Sequence, residues 1–93
     1  MTFKAYLIDY ADVQSVVIAA TPNRARRKVQ LSARDAGLRG DWIEIRARRL
    51  PGYDRIATEL NHEAGPMTMS AAKETYLAIF GRMRTNAQEA GTP

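Results

Sequence analysis

The sequence predicts a small α+β sandwich with element order β-β-α-β-(short α)-α, a three-stranded sheet and two main helices in two layers. Three observations predict it. Two β-branched and aromatic runs, Phe3 to Tyr10 and Gln14 to Ala20, are separated only by Ala11-Asp12-Val13. A stripe of small residues at helical spacing follows, opened by Thr21-Pro22. A longer apolar stripe, Ala72, Tyr76, Ile79, Phe80, Met83 and Ala87, closes the chain.

In the first run Lys4, Tyr6, Ile8 and Tyr10 share one strand face, and Phe3, Ala5 and Leu7 share the other. Both faces are mostly apolar, so this strand is expected to be central and covered on both sides. The short connector to Gln14 predicts a hairpin, although it holds no Asn-Gly or Asp-Gly pair. Thr21 is placed to cap a helix and Pro22 suits its first turn. Ala25, Val29, Ser32, Ala33 and Ala36 recur on one side, Leu31 lies off that stripe, and Gly37 is the expected left-handed stop.

Leu38 to Asp41 reads as a loop without the features of a phosphate-binding one: no Lys-Ser/Thr follows and no helix opens after it. Trp42 to Leu50 alternates as a third strand, with Ile43, Ile45 and Ala47 on one face and Trp42, Glu44, Arg46 and Arg48 on the other. Pro51-Gly52 ends it, Tyr53 to Leu60 is a short helix, and Asn61 to Thr68, with Gly65-Pro66, is a loop. The last helix is capped by Ser70 or Thr68 and runs to about Ala87. Phe80, Trp42 and Tyr6 are the large residues expected in the core. A single domain spans residues 1–89, and residues 90–93 form a flexible tail.

The absence of cysteine excludes a disulfide framework, a thiolate metal site and a cysteine nucleophile. The 14 basic and 10 acidic residues are unevenly spread. Nine of the basic residues fall in residues 22–49 beside three acids, while the rest of the chain is acid-rich. No basic leader followed by an apolar segment opens the chain, and no apolar run approaches the roughly 20 residues a bilayer requires, so a cytoplasmic protein without membrane contact is expected.

Catalysis finds little footing. The lone histidine, His62, stands beside Glu63 in an expected loop, where adjacent side chains seldom face one another. One His and no Cys cannot build an ordinary transition-metal site. No cofactor is expected, and the protein is read as a non-enzyme.

The basic clusters are the residues that depart from local rules. Arg24, Arg26, Arg27 and Lys28 occupy the first turns of a helix, where the macrodipole disfavours cations. Arg27 and Arg34 superpose on a helical wheel, flanked by Arg26 and Gln30, as a solvent-facing stripe. Arg46, Arg48 and Arg49 form a second cluster, and Arg46 and Arg48 share an expected strand face with Trp42. An Arg and aromatic face stacks bases, contacts phosphates or serves as a protein hot spot. Equally, Arg stems cover apolar surface and Trp42 packs beneath the last helix.

Lys4-Ala5-Tyr6, Ser15 to Ala20, Ala25-Arg26, the run Ile43-Glu44-Ile45-Arg46-Ala47-Arg48-Arg49-Leu50-Pro51 and then Asp54 resemble a loose group of small phage and prophage accessory proteins. The resemblance covers roughly residues 4–54 and, more faintly, Glu74 to Gly81. After Asp54 the chain departs from the group's aromatic, acidic linker. The resemblance implies a mobile-element accessory protein and transfers no catalytic residue. The expected function is thus binding to a host protein or nucleoprotein. Its sharpest form is steric inhibition of a bacterial defence complex, in the manner of anti-CRISPR proteins. The alternative is a basic nucleic-acid-binding protein using the Arg-rich helix and strand. Either acts as a monomer or homodimer.

Overall fold

The computed structural model describes residues 2–91, with side chains described for residues 2–81. Lys4–Tyr10 forms β1 and Val13–Ala19 forms β2, an antiparallel hairpin in which Tyr10 faces Val13 and Lys4 faces Ala19. The expected hairpin closes through Ala11 and Asp12 alone, both at positive φ (53° and 61°). The strand twist demands a left-handed two-residue turn, and it imposes one without the usual Asn-Gly pair.

Helix α1, Pro22–Asp35, starts and stops as its sequence predicts. Thr21 Oγ1 accepts from the Arg24 amide at 3.2 Å. Gly37, at φ +84°, lets its own amide reach Arg34 O and the Leu38 amide reach Ala33 O. The inner face is narrower than expected. Ala25, Val29 and Ala33 are buried, whereas Ser32 and Ala36 are exposed. Gln30, expected on the solvent side, is only 5% exposed. Its amide turns inward to hydrogen-bond the backbone of the following loop.

The third strand, β3, is shorter than its alternation suggests and spans only Arg46–Arg49. Trp42–Glu44 forms a 3-10 turn, in which Glu44 N donates to Asp41 O and Ile45 N to Trp42 O. Alternation therefore begins only after Ile45. A 3-10 turn over Pro51–Tyr53 leads into α2, Asp54–Leu60, which confirms the short helix.

The segment expected as a loop holds a fourth strand, β4, Ala64–Thr68. Its ladder to β2 pairs Ser15 with Thr68, Val16 with Met67 and Ile18 with Ala64, and is irregular between Val16 and Ile18. Gly65 stands at that irregularity, where a Cβ would lie 2.7 Å from Val16 O. Pro66 brings no amide to the ladder, which is tolerable on an edge strand. The long helix α3, Met69–Gly91, is capped by Thr68, whose Oγ1 accepts from Ala71 N at 3.0 Å. Thr92 and Pro93, the end of the expected flexible tail, lie outside the described residues.

The four-stranded sheet is antiparallel between every neighbouring pair, in the order β3-β1-β2-β4. It is covered on both faces, which corrects the two-layer, three-strand expectation. On one face Tyr6, Ile8, Val17 and Ala19 pack with Ile45 and with Ala25 and Val29 of α1. On the other, Ala5 and Ile18 pack with Ile56 and Ala57 of α2 and Ile79 of α3, and Leu7 and Val16 meet Ala72. β1 is central and buried on both faces, as its two apolar faces required. Trp42 and Phe80 leave the predicted core: Trp42 is 36% and Phe80 51% exposed, and Tyr6 alone of the three is buried. Phe80 stacks on Tyr76, which stacks on Tyr53, along one side of α3. Met83 and Ala87 of the predicted stripe lie outside the described side chains.

Candidate binding surface

The nine residues singled out by the sequence do not form one surface. The register places Tyr6 opposite Arg49, Leu7 opposite Arg48, Ile8 opposite Ala47 and Asp9 opposite Arg46. Residues opposite one another share a sheet face. Arg49 and Ala47 therefore lie on the α1 side with Tyr6 and Ile8. Arg46 and Arg48 project from the opposite face, with Leu7 and Asp9. The strand cluster is thus divided across the sheet, and Arg46 and Arg48 face away from the helical cluster.

The helical cluster is itself largely engaged within the molecule. Arg24 Nε donates to Glu63 Oε1 at 2.7 Å, and Lys28 Nζ lies 3.8 Å from Glu63 Oε2. Glu63, from the segment before β4, thereby supplies the negative charge that the first turn of α1 lacks, relieving the dipole conflict legible in the sequence. Arg27 donates to Gln30 Oε1 at 2.6 Å. Arg34 is exposed on α1 and, among the described residues, has no ion-pair or hydrogen-bond partner. The expected solvent stripe therefore keeps Arg27 and Arg34 on the outside and loses Arg26 and Gln30.

Arg26 turns toward β3 and fixes the 3-10 turn. Its Nε donates to Ile45 O at 2.8 Å and its Nη2 to Trp42 O at 2.6 Å, while the guanidinium carbon sits 3.9 Å from the centroid of a Trp42 ring. Trp42 is thus held by α1, not beneath the last helix. The clamp leaves the neighbouring Ile43 87% exposed, the most exposed large apolar side chain described. Sequence alternation put Ile43 on one strand face with Ile45 and Ala47, and nothing in that alternation separates a strand from a turn followed by a short strand.

Arg49 is committed to Asp54, with Nη2 at 2.6 Å from Oδ2, and its guanidinium also approaches the Tyr6 ring at 5.6 Å. Asp54 Oδ1 in turn accepts the amide of buried Ala5 at 2.9 Å. Asp54 therefore joins α2 to the central strand and to β3, a role its isolated position in the sequence did not disclose. Arg46 shares an open concavity with Asp9, Asp12, Glu44 and Met69, whereas Arg48 stands opposite Leu7.

The single His-Glu pair does not assemble. His62 Nδ1 lies 2.7 Å from Glu63 O, and the Glu63 carboxylate is turned to Arg24 and Lys28. Among the described residues no cluster of three His, Cys, Asp or Glu side chains could hold a metal ion. No helix among them is long and apolar enough to cross a membrane. No family model, curated protein or solved structure matches the chain.

Proposed function

We propose that the protein acts by binding a protein partner, and that Trp42, Ile43 and the open edge of β3 form the centre of contact. The observation that carries this is the exposure of Ile43 on a turn fixed by the Arg26 clamp. A large apolar side chain held rigid beside an aromatic and an arginine loses little entropy on docking, and Trp and Arg are enriched where binding energy concentrates. The partner is a host protein or nucleoprotein. In the form implied by the resemblance to phage accessory proteins, occupancy of this surface blocks a bacterial defence complex sterically.

Protein recognition is favoured over direct nucleic-acid binding because the phosphate-type footprint is divided. Arg24, Arg26, Lys28 and Arg49 direct their charge to groups of the same molecule, and Arg46 and Arg48 lie on the other side of the sheet.

Affinity capture from bacterial lysate with the wild type, Ile43→Asp and Trp42→Ala tests this. A stoichiometric partner held at micromolar concentration and lost with Ile43→Asp is the expected result. A partner retained equally by all three proteins overturns it. So does duplex binding that falls steeply with salt and disappears in Arg27→Ala/Arg34→Ala.

A further inference from the structure

We propose that β3 is a docking edge to which the partner adds an extended strand, carrying an acidic residue opposite Arg48 and apolar residues at the alternate positions. This rests on the binding function above and specifies the chemistry of the partner.

The hydrogen-bond pattern leaves this edge open. Leu50 N donates to Ala5 O at 2.9 Å, in the same register as the rest of the β1 and β3 pair. The alternating ladder then directs the main-chain groups of Arg46, Arg48 and Leu50 toward β1, and those of Ala47 and Arg49 outward. Among the described residues the outward groups of Ala47 and Arg49 have no hydrogen-bond partner. One further outward carbonyl, that of Ile45, is already taken by Arg26. The available edge is therefore short and bounded, with the Arg26 clamp at one end and the Arg49 and Asp54 ion pair at the other. The opposite edge of the sheet is β4, whose Pro66 and irregular register make it a poor template.

Charge selects the occupant. The strand reads Arg-Ala-Arg-Arg. Pairing two copies antiparallel about Ala47 sets Arg46 against Arg48 twice, and like charges directly opposite are unfavourable. The same row favours an acidic strand from another molecule. On an added strand, the positions opposite Arg46 and Arg48 are the non-hydrogen-bonded ones, where side chains approach most closely. Asp9, Asp12 and Glu44 line the same open concavity as Arg46. Arg48 does not line that acidic concavity and has no ion-pair or hydrogen-bond partner among the described residues, so selectivity falls to it. On the α1 side the added strand passes small Ala47 and approaches Trp42, which suits apolar side chains.

The test uses the full chain and two synthetic peptides, one alternating Glu and Val, the other alternating Lys and Val. Amide exchange and affinity are read together. The Glu peptide is expected to protect the Ala47 and Arg49 amides, which are otherwise open. Arg48→Glu is expected to weaken that peptide several-fold and to favour the Lys peptide. Ala47→Pro removes an outward amide without touching the β1 ladder and is expected to abolish protection at Arg49. Equal affinity for both peptides in the wild type overturns the inference, as does binding without protection at Ala47 and Arg49. Arg48→Glu carries the test if Ala47→Pro fails to fold. A captured partner lost with Ile43→Asp but unaffected by Arg48→Glu and Ala47→Pro leaves the binding function standing and removes strand addition. Peptide protection at β3 with a partner indifferent to Ile43→Asp keeps strand addition and removes Ile43 from the centre of contact.

Discussion

The Arg26 guanidinium lies 3.9 Å from the centroid of a Trp42 ring and donates to the Trp42 carbonyl at 2.6 Å. One side chain thereby holds both the ring and the backbone of a residue 16 positions away. A planar, multiply donating group is required for this, and a lysine ammonium cannot reproduce it. Arg26→Ala is expected to cost about 1–3 kcal/mol, because two carbonyls lose a charged donor and the ring loses its cap. Arg26→Lys should recover less than half of the loss. Denaturant unfolding measures the stability, and Trp42 emission shifted to the red reports release of the indole.

Gly40 is held from both sides. Its amide donates to Tyr10 Oη at 2.8 Å, and its carbonyl accepts from Gln30 Nε2 at 2.9 Å. Tyr10→Phe and Gln30→Ala each leave one buried backbone group without a partner. Each is expected to destabilise by about 1–2 kcal/mol. The double variant should lose less than the sum, since the two bonds hold one peptide segment and the first loss already releases it. A double-mutant cycle by chemical denaturation measures the difference, and strict additivity would show that the two bonds act independently.

The hairpin turn offers a gain. Ala11 and Asp12 both occupy the left-handed region, which costs a residue with a Cβ roughly 1 kcal/mol or more. Ala11→Asn with Asp12→Gly installs the pair this turn geometry prefers. An increase of about 1 kcal/mol is expected, with an unchanged β1 and β2 register by NMR. A decrease would show that the sheet does not impose this turn in solution.

Asp54 joins three elements through one carboxylate, to the Ala5 amide at 2.9 Å and Arg49 at 2.6 Å. Asp54→Ala is expected to cost about 1–3 kcal/mol, chiefly through the unpaired amide of buried Ala5. Arg49→Ala should cost less, because its half of the contact is exposed to solvent. Comparison of the two by thermal and urea unfolding separates the amide contact from the ion pair. Equal losses would mean that the ion pair dominates.

Elements whose signals lie in neighbouring residues were legible in the chain alone. Thr21-Pro22 and Gly37 placed the ends of α1 because capping and left-handed backbone depend on neighbouring residues. The two apolar faces of β1 announced a central strand because burial on both sides is written at period two. The same sequence exposed the surplus of arginine in residues 22–49.

Where that charge goes, and which segments become strands, depends on contacts between distant residues. β4 carries Gly65 and Pro66, which punctuate loops in most settings, and it becomes a strand because β2 offers an edge to pair with. Trp42 and Ile43 alternate like a strand, but Arg26 captures the carbonyls around them and coils the backbone, so one apolar side chain points to solvent. Glu63, 39 residues from Arg24 in sequence, offsets part of the charge at the helix start that looked electrostatically misplaced. Each of these outcomes rests on a contact between distant residues, and such contacts leave no periodicity in the chain for the sequence to display.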